Sequence, residues 1–136
     1  MANLNVLKSY DQGVNFFDQI LNTSSANAAF IAPFILCPSN TQRIYAGGDA
    51  LQVSYDAGTS FSIVGNNPIN NGTKILSIAV SSTYEDSVYL TTAPDATNAM
   101  KIWRSTNGGA TLTDISAGLP NRYLREIVVD PNNSST

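Results

Sequence analysis

Short runs rich in Val, Ile, Tyr, Phe and Thr alternate along the 136-residue chain with segments rich in Asn, Gly, Ser and Pro. Segments 65–68 (Gly-Asn-Asn-Pro) and 70–72 (Asn-Asn-Gly) have the composition of tight turns. The apolar runs between such turns have the length and residue content of strands. The pattern therefore predicts an all-β chain of many short strands. Segment 14–21 is ambiguous, because Val14, Phe17 and Leu21 also recur near the spacing of an amphipathic helix.

Three octamers in the sequence follow one pattern, Ser-x-Asp/Asn-x-Gly-x-x-Phe/Leu. They begin at Ser9, Ser54 and Ser105, so that successive octamers start 45 and 51 residues apart. Recurrence at such a period is typical of repeat architectures, in which each repeat is one supersecondary unit. The residues that define the pattern are Ser9, Asp11, Gly13 and Phe16; Ser54, Asp56, Gly58 and Phe61; and Ser105, Asn107, Gly109 and Leu112.

A second motif interleaves with the octamers. The segments 34–38, 78–82 and 127–131 resemble one another, and an apolar residue followed by Tyr comes six residues after each of the first two. Because two independent motifs keep the same internal offset, each unit is predicted to contain four strands. The predicted strands are 32–36, 43–47, 51–55 and 61–64 in the second unit, and 76–80, 87–91, 101–105 and 112–115 in the third.

A period near 45 residues with four strands per unit predicts the blades of a β-propeller, each a four-stranded antiparallel sheet. The first strands (30–36, 75–80 and 126–129) are almost continuous apolar runs, which favours innermost strands buried on both faces. The alternative fold is a plain β-sandwich with accidental internal similarity. The parallel with segment 59–64 favours a strand over a helix at 14–21.

The units divide the chain into the end of a blade (1–29), two full blades (30–74 and 75–123) and the first strand of a further blade (124–136). Propellers have about 4–8 blades, so we expect a partial propeller. It is either a fragment of a longer protein or a subunit that completes a ring by association. Exposed strand edges and apolar blade faces favour a homo-oligomer or contact with the remaining blades of a parent protein.

Each octamer fits a hairpin turn between the third and fourth strands of its unit. The Asp or Asn side chain can accept hydrogen bonds from backbone N–H groups of the turn. The glycine stands where a positive φ is expected, and the final Phe or Leu is expected to pack against the sheet or the next blade. These residues therefore have a structural role.

With these residues the chain resembles the Asp-box family, also called the bacterial neuraminidase repeat, whose pattern is Ser-x-Asp-x-Gly-x-x-Trp/Phe. The resemblance implies a β-propeller in a secreted or cell-surface protein, and bacterial members are common. The family includes sialidases, sortilin-like receptors and xyloglucan-degrading hydrolases. Two departures, Asn107 for Asp and Leu112 for the aromatic residue, predict a weaker third turn. Such a repeat identifies a fold and not an activity.

The resemblance also implies that ligands bind at the end of the blades opposite the octamers. Asp49 and Asp95 occupy corresponding loops there and are the candidate catalytic pair, because glycoside hydrolysis needs two carboxylates about 5–9.5 Å apart. Arg122, Tyr123 and Arg125 are the candidate ligand-binding residues. For each of the five, the alternative is a solvated loop side chain without a function.

Charge and composition disfavour several other classes of protein. The formal charge is −3 and 12% of the residues are charged, whereas nucleic-acid partners carry basic surfaces. No apolar run approaches the roughly 18 residues of a membrane helix, so no membrane insertion is expected. The chain has no His and a single Cys, Cys37, and its acidic residues are scattered. We therefore predict neither a metal site nor a cofactor.

These observations favour a non-catalytic recognition segment that binds a glycan or a protein. The alternative is part of a glycoside hydrolase whose site is completed by other blades. Sialidase chemistry fits poorly, because residues 43–45 (Arg-Ile-Tyr) lack the Pro of the Arg-Ile-Pro signature that the resemblance implies. A third interpretation is a truncated piece that reports how propellers assemble.

Overall fold

The computed structural model describes residues 4–23 and 27–133, which form ten strands in three sheets. No helix of the described residues is long and apolar enough to cross a membrane. A short 3-10 turn at Ile69–Gly72 joins the two larger sheets. The strands are β1 Leu4–Lys8, β2 Asp18–Thr23, β3 Phe34–Cys37, β4 Asn40–Gly47, β5 Leu51–Ser54, β6 Ser62–Val64, β7 Ile75–Val80, β8 Val88–Thr92, β9 Lys101–Ser105 and β10 Thr113–Asp114.

The strands group into three units along the chain. Unit 1 is the antiparallel pair β1–β2, unit 2 is the sheet β3-β4-β5-β6, and unit 3 is the sheet β7-β8-β9-β10. Within units 2 and 3 every neighbouring pair is antiparallel and follows chain order. The predicted four-stranded antiparallel sheets are therefore confirmed, with strand ends that differ by a few residues. The helix considered at 14–21 is not formed, because β2 begins at Asp18.

The loops of units 2 and 3 separate onto two ends of the sheets. At one end, which we call the turn end, the octamer turns contact the loops between the first two strands. The N–H of Ala57 donates to the carbonyl of Gln42 at 2.8 Å, and the N–H of Gly108 donates to the carbonyl of Asp86 at 2.9 Å. The opposite end, the loop end, carries the remaining connections.

The main core lies between the sheets of units 2 and 3. Tyr45 and Leu51 from unit 2 meet Val88 and Leu90 from unit 3, and all four side chains are fully buried. Each such side chain stabilises the fold by about 1.5–3 kcal/mol. The two sheets therefore stack face to face.

A polar contact at the turn end joins the same two units. The Arg43 guanidinium lies 2.6 Å from the Asp86 carboxylate and 3.4 Å from that of Glu85. The Tyr45 hydroxyl donates to the carbonyl of Glu85 at 3.3 Å. Burial of the phenol raises the pKa of Tyr45 to about 12, so it remains a hydrogen-bond donor.

Unit 1 packs on the other face of unit 2. Val6 and Leu21 form a smaller apolar cluster with Ala46 and Phe61 of unit 2. The Lys8 ammonium donates to the carbonyl of Ala57 at 2.8 Å. Unit 1 therefore stacks on unit 2 through an apolar cluster and a polar contact at the turn end, although its polar contact is with the octamer turn and not with the loop between the first two strands.

The first strand of unit 2 begins later than the sequence predicts. The apolar run 30–36 is expected to be a buried strand, but Phe30 and Ile31 are exposed and β3 starts at Phe34. The Pro33 carbonyl still accepts the N–H of Gly47 at 2.9 Å. Pro33 has no N–H group of its own and restricts the residue before it, so the sheet ladder ends there. Leu36 is also exposed. Burial on both faces therefore holds for most of β7 and not for β3.

The strand predicted at 126–129 is not formed among the described residues, where 122–130 have no regular secondary structure. The segment lies against unit 3 through side-chain bonds instead of a backbone ladder. The Thr91 hydroxyl donates to the carbonyl of Leu124 at 3.0 Å, and the N–H of Ile127 donates to the Ser77 hydroxyl at 3.2 Å. The segment therefore covers the second face of β7 without pairing with another strand.

The three octamers adopt the same hydrogen-bonded turn. In each, the serine hydroxyl accepts a bond from the glycine N–H four residues later, at 2.8 Å in all three. The same hydroxyl donates to the side chain of Asp11, Asp56 or Asn107 at 2.7–2.9 Å. That side-chain oxygen accepts the backbone N–H four residues further on, at 2.8–2.9 Å. Two side chains thus satisfy the inward-facing donors of the turn.

Each turn needs two left-handed residues. The octamer glycines have φ between 85° and 94°, and the residue before each is also left-handed, at 54–67°. The sequence predicts the first of these positions and not the second. Unit 3 has a glycine, Gly108, at the second position, whereas Gln12 and Ala57 hold a side chain there against the usual steric preference.

The final residue of the octamer packs against the preceding unit in two of the three units, buried at Leu112 and partly buried at Phe61. Leu112 belongs to the core between units 2 and 3, and Phe61 packs with the cluster between units 1 and 2. Phe16 is 54% exposed, which corrects the expectation that it packs. The difference follows from position, because no described unit lies on that side of unit 1.

Ser9 and Ser54 make the same hydrogen bonds, but the bond to the glycine N–H is exposed in one turn and buried in the other. Comparing them tests how much burial adds to the contribution of these bonds to stability. Ser54→Ala leaves the N–H of buried Gly58 without an acceptor and is expected to lower the free energy of unfolding by about 1–3 kcal/mol. Ser9→Ala removes the same bonds in an exposed turn, where water replaces them, so its effect is expected to be below about 1 kcal/mol. Chemical denaturation measures both. Equal losses for the two variants would contradict the explanation.

The left-handed Ala57 provides a second test. Ala57→Gly is expected to raise the free energy of unfolding by about 0.5–1 kcal/mol, because relief of a left-handed side chain exceeds the extra freedom glycine has in the unfolded chain. The control is Ala110→Gly in the third turn, where φ is not positive, and it should destabilise. Thermal and chemical unfolding of the two variants should therefore shift in opposite directions.

Candidate functional site

The loop end carries a groove of about 350 Å³ with a mixed aromatic and aliphatic lining. It contains two of the three ligand-binding residues expected from the sequence, Tyr123 and Arg125. Arg122 is exposed and does not line it. The lining residues are Ala29, Phe30, Ile31, Leu76, Tyr123 and Arg125.

Three parts of the chain build the groove. The segment before Pro33 supplies Phe30 and Ile31, and β7 supplies Leu76. The third wall is the segment after β10, which the bond from the Thr91 hydroxyl to Leu124 holds on unit 3. In an extended segment alternate side chains point the same way. Tyr123 and Arg125 therefore face the groove together.

The groove exposes apolar rings beside a cationic donor. Phe30 is 89% exposed and Tyr123 is 65% exposed, although both are large aromatic side chains. Among the described residues, no ion pair engages Arg125. Ligand sites commonly combine apolar walls with a few polar groups that fix orientation. The arrangement can receive a flat molecule with an apolar face and donate hydrogen bonds to its polar edge.

The carboxylate of Asp95 is fully engaged by its own loop. It accepts bonds from the N–H groups of Thr97 and Asn98 at 2.7 Å each, and from the Asn98 amide at 2.9 Å. The bond from the Asn98 side chain, followed by those from the backbone, lowers the pKa of Asp95 to about 2. A general acid must hold a proton at the working pH, whereas these hydrogen bonds keep Asp95 ionised. They therefore suit a structural role for Asp95 in holding its loop.

Asp49 is half-buried in the loop between β4 and β5. Its backbone joins neighbouring loops, because its N–H donates to Asn27 and its carbonyl accepts from Ile69, both at 2.7 Å. The 3-10 turn at Ile69–Gly72 continues to the Asp95 loop, where the Asn71 amide donates to Asn98 at 2.8 Å. Neither candidate carboxylate lines the groove.

The residues that sequence reasoning missed are the apolar wall, above all Phe30 and Ile31. The sequence pattern assigns them to a buried strand, and the signal against that assignment is the proline two residues after Ile31. The pattern also assigns Leu76 to a buried strand. Leu76 does lie in β7, but its side chain is only partly buried and lines the groove. Among the described residues, no three His, Cys, Asp or Glu side chains gather closely enough to hold a metal ion.

Comparison with solved structures links the fold to a known architecture. The chain is similar to an ancestral GH74 enzyme, with a TM-score of 0.52 and 18% sequence identity. The match covers 72% of this chain and spans 13% of the length of that enzyme. That enzyme is a β-propeller glycoside hydrolase, so the likeness and the two four-stranded antiparallel sheets together support blades of a partial β-propeller. Searches of protein-family models and of curated proteins found no match.

The braced carboxylates predict a defined acid response. The pKa values of Asp11, Asp56 and Asp95 are lowered from 3.8 to about 2 by hydrogen bonds, chiefly from Ser9, Ser60 and Asn98 respectively. Because the folded pKa values lie below the unfolded ones, this stabilisation is complete above about pH 4 and is lost as the pH falls through about 2. We expect the free energy of unfolding to decrease across that window.

Substitutions in the octamers should change the slope of that decrease. Asp56→Asn removes one titrating carboxylate from the turns and should make the free energy of unfolding less dependent on pH. Asn107→Asp adds one and should make it more dependent on pH. Denaturant unfolding at a series of pH values from neutral to acid measures the slopes. Identical slopes in the two variants and the unmodified chain would show that the turns do not control acid stability.

Proposed function

We propose that the chain is a segment of an Asp-box β-propeller that recognises a carbohydrate without hydrolysing it. The ligand lies in the groove at the loop end, against Phe30 and Tyr123, with Arg125 as the hydrogen-bond donor. This role accords with a secreted or cell-surface protein, the location that the Asp-box resemblance implies.

The single observation that carries the proposal is that one groove combines exposed aromatic rings with the guanidinium of Arg125. Arg125 takes part in no ion pair among the described residues. A sugar ring presents a face of C–H groups and an edge of hydroxyls. Aromatic side chains bury a large apolar area, and a guanidinium offers several N–H donors in a fixed plane. The two kinds of group in the groove therefore match the two kinds of surface on a sugar.

The three octamer turns support the Asp-box assignment. Their serine, acidic or amide residue and glycine make the same bonds at nearly the same distances in all three units. Asn107 keeps the geometry of Asp11 and Asp56, because its oxygen accepts the N–H of Thr111 at 2.8 Å. The turns lie at the end of the sheets opposite the groove, as the resemblance implies.

A second candidate function is part of a glycoside hydrolase, favoured by the likeness to the GH74 enzyme. Its catalytic pair would be Asp49 and Asp95, with the remaining contacts supplied by further blades. The bonds that hold Asp95 ionised disfavour it as the acid of such a pair. Recognition is therefore the stronger of the two candidates.

Titration with oligosaccharides of plant β-glucans tests the proposal. Tyr123→Ala is expected to weaken binding at least about tenfold, because it removes the apolar platform for the sugar face. The control is Tyr84→Ala, since Tyr84 is 63% exposed but belongs to the β7–β8 loop at the turn end. Calorimetry or NMR line shifts measure both affinities.

Two results would overturn the proposal. One is equal affinity for the two tyrosine variants, which would place the ligand elsewhere. The other is release of new reducing ends from the same oligosaccharides, which would favour the hydrolase. In that case Asp49→Asn should abolish the release.

A further inference from the structure

The interface between units 1 and 2 and the interface between units 2 and 3 share one packing feature. The octamer glycine of the following unit lies against strand residues of the preceding unit, closely enough to leave no room for a Cβ. A Cβ on Gly109 would lie 2.7 Å from the Leu51 side chain and 2.9 Å from that of Val64, and one on Gly58 would lie 2.8 Å from Ile20. Each unit therefore presents a seat that fits the octamer turn of the next.

Unit 3 presents the same seat on its outer face, and no described unit fills it. Leu51 and Val64 stand three residues before and ten residues after Ser54, and Ile102 and Ile115 stand at the same distances from Ser105. Ile115 is 43% exposed. Ile102 and Ile115 lie on the same side of the sheet as Arg104 and Thr113. A concavity of about 190 Å³ opens there, lined in part by Arg104, Thr113 and Ile115.

Unit 1 presents the complementary element on its own outer face. A Cβ added to the octamer glycine Gly13 would meet only the ring of Phe16, in the same turn, within 4 Å. Phe16 and Leu7 are both exposed. Their counterparts in units 2 and 3 include Phe61 and Leu112, which pack on the preceding unit.

Arg104 supplies a polar counterpart to the apolar seat. It occupies the position directly before the octamer serine, as Lys8 does in unit 1. The Lys8 ammonium crosses to the carbonyl of Ala57, the left-handed residue of the next turn. The Nε of Arg104 is buried without a hydrogen-bond partner, and the residue of turn 1 that corresponds to Ala57 is Gln12.

The C-terminal segment leaves room for such a neighbour. Residues 124 and 127 are hydrogen-bonded to the outer face of unit 3 on β8 and β7, its inner strands. Unit 1 consists of two strands at the positions that β5 and β6 occupy in unit 2, which are the outer ones. A unit 1 placed on unit 3 would therefore lie beside residues 124–127 and would not displace them.

We propose that unit 3 binds unit 1 of a second copy of this chain. Gly13 and Phe16 of the second copy seat on Ile102 and Ile115, and Arg104 donates to the carbonyl of its Gln12. The two surfaces differ, so the contact is head-to-tail and each assembly keeps one free surface of each kind until a ring closes. This association is independent of carbohydrate binding, because the groove lies at the loop end.

Sedimentation or light scattering of the 136-residue chain over a wide concentration range tests the proposal. The mass should rise above 14.5 kDa with concentration. Ile115→Glu and Leu7→Glu should each weaken association at least about tenfold, because either charge must be desolvated in the contact. The control is Ile63→Glu, since Ile63 is 53% exposed on β6 and belongs to neither surface.

Mixing the two weakened variants separates a head-to-tail contact from a symmetric one. Ile115→Glu retains an intact unit 1 and Leu7→Glu retains an intact unit 3, so a mixture should form a 1:1 complex of twice the chain mass. Cooperative thermal unfolding of each variant checks that it is folded. Arg104→Glu removes the proposed donor to Gln12 and should also weaken association. A monomer at every concentration, association of Ile115→Glu equal to that of the unmodified chain, or no complex in the mixture would overturn the proposal.

Discussion

The structure depends on satisfying the backbone N–H groups inside three tight turns. A chain that reverses between the third and fourth strands of a blade turns N–H donors toward the inside of the turn, and in units 2 and 3 the N–H of the octamer glycine is buried there. The serine hydroxyl accepts one of these donors and passes a hydrogen bond to the neighbouring carboxylate or amide, which accepts another. Because buried donors without acceptors are costly, this pair of side chains allows the glycine of each turn to be packed against the preceding sheet.

The units stack in the same geometry, although side chains of different chemical type occupy equivalent positions between them. The position before the octamer serine holds Lys8, Val53 and Arg104 in turn. Lys8 reaches a carbonyl of the next turn, while Val53 is buried in the core between units 2 and 3. A cation with a long stem and a small apolar side chain can both cover the same surface. In units 1 and 2 the position before the octamer serine therefore faces the next unit, whether its side chain is charged or apolar.

The repeats make most of the fold predictable, because strand periodicity and turn residues agree at each position. The strand Lys101–Ser105 is predicted with its observed limits. Errors arise where tertiary context decides: Phe30 and Ile31 form an apolar run that Pro33 separates from the sheet, and residues 126–129 lack a ladder partner. The candidate site is harder, since sequence shows that Tyr123 and Asp95 lie in loops at one end but not which contacts each makes.

Asn107 shows how a repeat of this kind tolerates drift. In the two acidic turns the second carboxylate oxygen accepts a bond from residue 15 or 60, whereas the Asn107 amide donates to the Thr111 hydroxyl at 3.1 Å. A hydroxyl can act in either sense, so one atom exchange reverses the bond without moving the backbone. Where the facing residue is Ser or Thr, a blade can thus gain or lose a negative charge at this turn without a change in its backbone.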